Sequence, residues 1–433
     1  YEAVVFDEAH HLENVATAFF SKSFSQYQLL DLLADTLRQA EADLAAEIRD
    51  GVLSLLGGLK QRIELFAHIL PGKIGRFPLD SMLAETSKEI WIAEVELLST
   101  GMVRLVEKLL ACDRYGEGWS HLAQRAKELN DNFRDIAYFF DHNGHDYVYW
   151  YEKRERAVTI SATPVSVAGE LRKCLYGSVA SCVLTSATLS SGGSFSYIKE
   201  RLGLGDNAEF RQFKSPFDYR QRTLLYVPEP GFPDPSADIF LPGVCGRVAE
   251  ILKLSEGRAL ILCTSFKGMD GLAAYLATVV DYPILVQGTA SRNSLLQSFR
   301  EETHSVLLAV ASFWEGVDVV GEALSCVIID KLPFEVPSDP VIQARIADIK
   351  EQGGKPFFDF QVPRAILALR QGVGRLMRSA TDRGVIAIMD TRLFSKGYGR
   401  TFLASLPASP VTRKMDDIEL FYGDDKKTRE TAT

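Results

Sequence analysis

The sequence predicts an α/β fold built on parallel sheets and interrupted by a long helical insertion. After Arg156, short β-branched runs alternate with amphipathic segments of helical length, which is the pattern of βαβ units. The chain also opens on an apolar run, Ala3 to Phe6, and a strand of this kind needs cover on both faces, as in a parallel sheet. Between these parts, residues 20–156 carry leucines at helical spacing. We therefore expect an incomplete first sheet domain, a helical insertion and a second sheet domain.

Turn-forming residues mark the expected boundaries between the parts of the chain. A seam between two sheet units is expected at Ser215 to Asp218, followed by the Pro/Gly-rich stretch Pro228 to Pro235. The expected division is residues 1–19 with 157–220 for the first sheet domain, 20–156 for the insertion, 221–423 for the second sheet domain and 424–433 for a charged tail. The predicted strands after the insertion are Val158 to Ile160, Ser181 to Leu184, Leu224 to Val227, Ala259 to Cys263, Ile284 to Val286, Val306 to Val310, Cys326 to Ile329 and Val385 to Met389.

Composition excludes several classes of protein. Apolar residues make up 46% and charged residues 24% of the 433 residues, as in a globular rather than a disordered or collagenous protein. No apolar stretch approaches the 18 or so residues that a membrane span requires. The six cysteines include no CxxC pair, which argues against a zinc or iron–sulfur site within these residues and favours a reducing compartment, the cytoplasm. The net charge of −9 means that any nucleic-acid site must be local.

A first motif is Asp7-Glu8-Ala9-His10, which comes directly after the first strand. Its carboxylates are expected at the carboxyl edge of the sheet, where doubly wound folds bind ligands. In a nucleotide hydrolase, Asp7 would hold Mg²⁺ through water, and Glu8 would orient and deprotonate the attacking water. The alternative is a helix N-cap made by Asp7 with Glu8 in the first turn.

A second motif runs from Gln371 to Arg378 on a helix expected to begin at Pro363. Arg375 and Arg378 are three residues apart, so on a helix both guanidinium groups share one face and can converge on a polyanion, as an arginine finger does. The alternative is an exposed basic helix face. Two glycines within a helix cost about 1 kcal/mol each relative to alanine, which favours a packing or functional reason for them.

Three weaker motifs also follow strands. Ser186 to Thr188 and Thr264-Ser265 place hydroxyl groups where phosphate contacts are made, and the segment Trp314 to Asp318 adds Gly316 and an aromatic ring. An ST-turn or a helix N-cap explains each of them equally well. Trp314 is more often a core residue than a base-stacking one.

Taken together and in this order, the motifs resemble the XPD/DinG branch of superfamily 2 helicases. Further matches are Ser215-Pro216-Phe217-Asp218 and Ile328 to Phe334. In the resemblance, motifs II to VI are Asp7 to His10, Ser186 to Thr188, Thr264-Ser265, Glu315 to Asp318 and Gln371 to Arg378.

The resemblance implies two RecA-like domains with an arch-like helical insertion, ATP with Mg²⁺ between the domains, and single-stranded or forked DNA across both. It implies catalytic roles for Glu8, Gln371, Arg375 and Arg378 and a metal role for Asp7. It also implies DNA contacts by Thr264, Ser265 and Trp314. The groups expected to couple ATP hydrolysis to movement are His10, Ser186, Thr188, Gly316 and Asp318.

Two departures from the family pattern concern the region before motif II. The 433 residues contain neither GxxxxGK[ST] nor a four-cysteine set, so we expect the phosphate-binding loop and a 4Fe–4S cluster to belong to a region upstream of Tyr1. The alternative function is a non-catalytic DNA- or replisome-binding module, and a metal-dependent nuclease would need an acidic cluster beyond Asp7 and Glu8. Members of this branch are associated with the clamp-loader chi subunit, for which Pro410 to Tyr422 is the expected docking segment of a monomer.

Overall fold

The computed structural model describes residues 2–84, 86–141, 146–310, 313, 319 and 321–430, with the backbone alone at 84 and 424–430. Its strands are β1 (Ala3–Phe6), β2 (Lys22–Ser25), β3 (Gly75–Pro78), β4 (Tyr147–Arg154), β5 (Ala157–Pro164), β6 (Ser181–Leu184), β7 (Thr223–Tyr226), β8 (Ala259–Cys263), β9 (Ile284–Val286), β10 (Val306–Val310), β11 (Cys326–Ile329), β12 (Gly384–Ile388) and β13 (Val411–Thr412). Its α-helices are α1 (Leu12–Phe20), α2 (Gln26–Asp43), α3 (Ala46–His68), α4 (Lys88–Cys112), α5 (Trp119–Ala137), α6 (Ala168–Leu171), α7 (Ser196–Arg201), α8 (Tyr219–Arg222), α9 (Phe240–Ser255), α10 (Phe266–Val279), α11 (Arg292–Glu301), α12 (Pro340–Glu351), α13 (Val362–Val373), α14 (Arg392–Ser395), α15 (Gly399–Ser405) and α16 (Met415–Glu430).

The second sheet domain is a seven-stranded sheet in the order β13-β7-β12-β11-β8-β10-β9, with every neighbouring pair parallel. The central strands are apolar along their whole length because helices cover both faces of the sheet, and two separate cores lie above and below it. The strands expected from the apolar runs are all present here, with ends that shift by at most one residue. The predicted parallel α/β architecture is therefore confirmed.

The first sheet domain contributes two strands, β1 and β6, which pair in parallel from Ala3 opposite Ser181 to Phe6 opposite Leu184. A small core beside them includes Ala16 and Ile198. Val5 on β1 is 65% exposed and Val183 on β6 is 46% exposed, so part of this sheet is apolar and uncovered within these residues. The pairing places the residues that follow the two strands side by side.

The insertion is not purely helical, and this corrects the sequence prediction. Helices α2 to α5 pack on a four-stranded antiparallel sheet in the order β2-β5-β4-β3. Strand β5 contains Val158 and Ile160, which were expected in the parallel sheet, but it pairs antiparallel with β4. The reason is local: only residues 155 and 156 separate the two strands, and so short a connection forms a hairpin, whereas parallel pairing requires a long crossover.

The carboxyl-terminal segment has a helical backbone as far as Glu430. Helix α16 extends to Glu430, where a charged tail from residue 424 was predicted. Ile418 and Tyr422 are buried against the second domain, and the Tyr422 hydroxyl donates to the Ser325 carbonyl at 2.8 Å. The apolar residues of the expected docking segment are therefore largely used within the domain, while Leu420 remains 66% exposed. Across the described residues, no helix combines the length and the apolar character needed to span a bilayer.

Candidate active site between the two sheet domains

The first carboxylate of the site stands at the carboxyl edge of the β1–β6 pair. Oδ1 of Asp7 accepts hydrogen bonds from the Thr185 hydroxyl at 2.8 Å and from the Glu8 backbone N–H at 2.9 Å. The Thr185 bond and then the Glu8 bond lower the pKa of Asp7, so the exposed side chain is ionised at neutral pH. The alternative role as a helix cap is not found, because the turn Ala9–His11 begins after Glu8 and has no side-chain cap.

A hydroxyl on the neighbouring strand end joins the rest of this motif. Ser186 donates to Oε2 of Glu8 at 3.1 Å, and its oxygen lies 2.8 Å from Nδ1 of His10. The same oxygen accepts from the Thr188 backbone N–H at 3.1 Å. The structure thus brings together four of the residues that the sequence singled out. Glu8 itself adopts a left-handed backbone conformation with φ 50°, a strained conformation for a residue other than glycine and one often found at functional sites.

The side chain of His10 is only 8% exposed, and the histidine is held neutral. Burial, followed by neighbouring His11, lowers its pKa to about 4, against an opposing effect of Glu8. Arg375 of the second domain also lowers this pKa, so its charge acts on His10 across the domain boundary. Nε2 of His10 is buried without a hydrogen-bond partner among the described residues. Because His10 and Gln371 also line one cavity, the motif that follows β1 and the helix that leads to the arginine motif face the same cleft.

The arginine motif lies on a loop, which corrects the helix-face argument. Helix α13 ends at Val373, and Gly374 forms its C-cap. A β-carbon at Gly374 would lie 3.1 Å from the Arg370 carbonyl, which is tight and accounts for the glycine there. Beyond it, the carboxylate of Asp382 accepts from the backbone N–H groups of Arg378 and Ser379, both at 2.7 Å. Asp382, rather than helical spacing, fixes the loop that carries Arg378.

Gln371 remains on helix α13, inside the structure's deep cleft. It lines a cavity of about 830 Å³ together with His10, Thr264, Arg345 and Arg364. A second cavity of about 980 Å³ is lined by Thr188, Arg378 and the Ser215 to Asp218 segment, among others. Residues from several of the sequence motifs thus line two cavities between the sheet domains, and each is large enough for a nucleotide-sized ligand.

Arg370 is a site residue that the sequence reasoning missed. From α13 it donates to the Ser190 carbonyl at 2.7 Å and to the Ala187 carbonyl at 3.0 Å, both in the loop after β6. It therefore ties the helix that leads to Arg375 to the loop that contains Ser186 and Thr188. Its position immediately before Gln371 was the available signal, but spacing alone does not reveal a contact between residues 180 apart.

The residues expected to contact DNA have structural partners here. Thr264 donates through its backbone N–H and its hydroxyl to the buried carboxylate of Asp330, at 2.9 and 3.1 Å. Ser265 caps α10 by accepting from the Gly268 N–H at 3.2 Å. These contacts fit the capping alternative and leave the DNA role a prediction. Trp314, Gly316 and Asp318 lie outside the described residues.

The donor set fits a magnesium ion that is bound largely through non-protein oxygens. In the described part of the chain, no group of three or more His, Cys, Asp and Glu side chains is arranged to hold a metal. The Asp7 carboxylate is exposed and uses only Oδ1 in the hydrogen bonds above. Mg²⁺ typically takes one or two carboxylates together with water and phosphate oxygens, and Asp7 can supply that contact.

Comparison with known proteins shows which sequences this chain is similar to. Residues 248–409 match the model of the helicase C-terminal domain. The chain is 36% identical over 425 residues to "ATP-dependent DNA helicase YoaA" of Haemophilus influenzae and 37% identical over 428 residues to the protein of that name in Escherichia coli K12. These alignments cover 97% and 95% of this chain but 64% and 63% of the relatives, so the chain spans slightly less than two thirds of their length.

The fold has a solved counterpart as well. The structure of Xpd4 from S. tokodaii superposes with a TM-score of 0.57 at 14% identity, over 95% of this chain and 75% of that one. This likeness concerns the fold, and it includes the sheet domains and the insertion. The sequence relatives and the matched domain model show that the chain belongs to the XPD/DinG family of helicases.

Proposed function

We propose that this chain is the carboxyl-terminal part of an ATP-dependent DNA helicase, which couples ATP hydrolysis to 5′→3′ movement along single-stranded DNA in replication or repair. The observation that carries the proposal is the network in which Ser186 joins Glu8 to His10 while the charge of Arg375 reaches His10 from the other domain. A hydrolysis site divided between two domains responds to their relative position, and this is the requirement for converting hydrolysis into movement.

The residues have distinct roles in this proposal. Asp7 binds the magnesium ion through water, and Glu8 orients the attacking water and accepts its proton. Bound Mg²⁺ supplies charge stabilisation at the phosphate oxygens. The γ-phosphate is contacted from the second domain by Gln371, Arg375 and Arg378. The change that follows its loss is transmitted between the domains by His10, Ser186, Thr188, Gly316 and Asp318. Ser186 can do so because one hydroxyl contacts both Glu8 and His10.

The test of this assignment is the substitution Arg375→Ala in a longer protein that also carries the residues encoded before Tyr1. Loss of a finger should lower the DNA-stimulated turnover of ATP by about 10³-fold or more while ATP still binds. Arg383→Ala is the matched control, because the Arg383 guanidinium packs 4.1 Å from the ring centroid of Phe421, within the second domain. Near-normal turnover in Arg375→Ala would remove the assignment.

The 433 residues alone are proposed to lack ATPase activity. They contain no GxxxxGK[ST] segment, and phosphoryl transfer depends on the amide cradle and lysine that such a segment provides. The measurement is ATP hydrolysis by this chain and by the longer protein, each with and without single-stranded DNA. Robust DNA-stimulated turnover by the shorter chain would place the phosphate site elsewhere.

Binding of single-stranded DNA is proposed to use Thr264, Ser265 and Trp314 with neighbouring basic groups. Because the net charge is −9, phosphate contacts must be local, and affinity should fall steeply with salt if they dominate. An affinity that does not change with salt would contradict this. We also propose that a region upstream of Tyr1 holds a 4Fe–4S cluster. The protein is further proposed to be a monomer and to contact the clamp-loader chi subunit.

A further inference from the structure

A single buried carboxylate, Glu13 on α1, lies at the centre of a cluster of charges. The glutamate is 3% exposed, and its Oε1 accepts from Arg201 at 2.7 and 2.9 Å and lies 3.2 Å from Nη1 of Arg345. Its Oε2 accepts from Arg364 and from the Tyr197 hydroxyl, both at 3.2 Å. We call these five residues the Glu13 cluster.

The cluster spans the boundary between the two sheet domains. Tyr197 and Arg201 lie on α7 of the first domain, whereas Arg345 lies on α12 and Arg364 on α13 of the second. Arg345 makes two more bonds to the first domain, to the Val165 carbonyl at 3.1 Å and to the Thr17 hydroxyl at 2.9 Å. One carboxylate therefore holds two helices of the opposite domain.

The charge balance makes Glu13 hard to replace. Burial by itself would raise the pKa of Glu13, but Arg201, Arg364 and Arg345 together hold it well below its ordinary value. Among the described contacts, the only other carboxylate that bonds to one of these arginines is that of Glu335, which accepts from Arg364 at 2.6 Å. Removing the charge of Glu13 leaves buried guanidinium groups without their main counter-charge, which is far costlier than losing an exposed ion pair.

The two helices joined by this cluster carry the two halves of the candidate active site. Helix α1 begins two residues after His10, and α13 runs through Gln371 and ends just before Arg375. Arg364 attaches α13 to α1, and Arg370, six residues later and about 9 Å along the helix, attaches it to the loop after β6. Helix α13 is thus fixed to the first domain at two points.

From this geometry we propose that Glu13 is a positioning residue, which holds α13 on α1 and so sets the separation of Glu8 from Arg375. The catalytic consequence rests on the proposed function, whereas the attachment of α13 does not. The competing explanation is a buried ion cluster that only stabilises the fold. In that case, any arginine of the cluster would matter to a similar degree.

The chain offers a matched control for this distinction. Arg201 and Arg345 are buried to a similar degree, 5% and 3% exposed, and both bond to Glu13 and to the Val165 carbonyl. Arg201 makes these contacts within the first domain, whereas Arg345 makes them across the boundary. Glu13→Gln cuts the contacts of both helices, Arg364→Gln cuts that of α13, and Arg345→Gln cuts that of α12. Arg201→Gln leaves the bonds of Glu13 to Arg345 and Arg364 in place.

The first measurement is amide hydrogen exchange of residues 362–373 in the 433-residue chain, which needs no ATPase activity. We expect exchange there to become about tenfold faster or more in Glu13→Gln and Arg364→Gln, whereas Arg345→Gln should act on residues 340–351. Exchange of residues 362–373 should stay near the wild-type rate in Arg201→Gln, which keeps the bond of Arg364 to Glu13 and, among the described contacts across the boundary, loses only the packing of its guanidinium 5.2 Å from the Phe360 ring centroid. Unchanged exchange in Glu13→Gln, or equal acceleration in Arg201→Gln, overturns the proposal. If Glu13→Gln does not fold, Arg364→Gln removes a less buried partner, 18% exposed, and is judged by the same criterion.

The second measurement is ATP turnover by the longer protein that carries the upstream residues. A positioning role lowers kcat by about tenfold or more in Glu13→Gln and Arg364→Gln with the KM for ATP nearly unchanged, while Arg201→Gln keeps most of its kcat. Normal kcat in Glu13→Gln overturns the role in catalysis. If the wild-type protein does not hydrolyse ATP, the proposed function fails, and the exchange data still support or overturn the attachment of α13.

Discussion

Nδ1 of His10 lies 2.8 Å from the hydroxyl oxygen of Ser186, a residue 176 positions later in the chain. The same hydroxyl donates to Glu8, so the proton on Nδ1 is the donor in the bond to Ser186. One serine therefore fixes both the tautomer of the histidine and the orientation of the glutamate. Changes in the loop after β6 reach both groups through this one atom.

Replacing Ser186 with alanine should uncouple these groups. In the longer, ATPase-competent protein we expect Ser186→Ala to lower DNA-stimulated turnover by about tenfold or more, because Glu8 loses the donor that orients it. Ser190→Ala is the control, since Ser190 contacts Arg370 mainly through its backbone carbonyl, which the substitution keeps. Steady-state kinetics with single-stranded DNA decide the matter, and equal rates for the two variants would refute the assignment.

His10 should make the stability of the chain fall as the solution becomes mildly acidic. Burial, followed by His11, lowers its folded-state pKa from 6.5 to about 4, so below pH 6.5 the unfolded chain takes up the proton more readily than the folded one. The resulting loss of stability between pH 7.5 and 5.5 is about 1 kcal/mol. The midpoint of urea unfolding should therefore differ less between pH 7.5 and pH 5.5 in His10→Gln than in the wild type. An equally large difference in the variant would contradict a neutral histidine.

Asp330 should act in the opposite direction. Burial raises its folded-state pKa from 3.8 to about 6, despite the opposing effects of Lys331 and Thr264. The folded state therefore holds this proton more tightly, and its contribution to stability is lost as pH rises from about 4 to about 6, by on the order of 1–3 kcal/mol.

The substitution Asp330→Asn tests this directly. An amide can still accept from the Thr264 and Lys331 N–H groups and can donate to the Thr264 hydroxyl, so the local structure should persist. The variant should gain stability relative to the wild type as pH rises from 4.5 to 7, measured by urea unfolding. Thr264→Val removes a hydrogen bond to the charged form of Asp330, so it should enlarge the pH dependence of stability. If the difference in stability from the wild type did not change with pH in either variant, a buried titrating carboxyl would be ruled out.

Arg370 should stabilise the contact between the two sheet domains. Arg370→Gln removes the donor to the carbonyls of exposed Ala187 and buried Ser190, and the loss at Ser190 should cost about 1–3 kcal/mol. The cost should appear as a lower thermal midpoint and as faster proteolysis of residues 187–193. Arg220→Gln, on the wall of the same cavity, is the control and should leave both measurements nearly unchanged.

The sequence by itself determined the parallel second domain and the placement of Asp7 and Ser186 after strands. Runs such as Ala259–Cys263 and Val306–Val310 predict buried parallel strands because both faces need apolar cover, and the structure has them at those residues. The same alternation predicted that Asp7 and Ser186 follow strands. Adjacent parallel strands necessarily present their ends at one edge, and this edge is where the two residues lie.

Only the tertiary structure decided which groups meet across the cleft. Helical periodicity could not show that α13 ends at Val373 and leaves Arg375 on a loop, because the end depends on Gly374 and on the Asp382 carboxylate beyond it. Nor could it assign β5 to the antiparallel sheet of the insertion, since apolar runs do not reveal their pairing partner. The partners of Glu13 lie up to 351 positions away, and such contacts arise from packing, which local sequence does not encode.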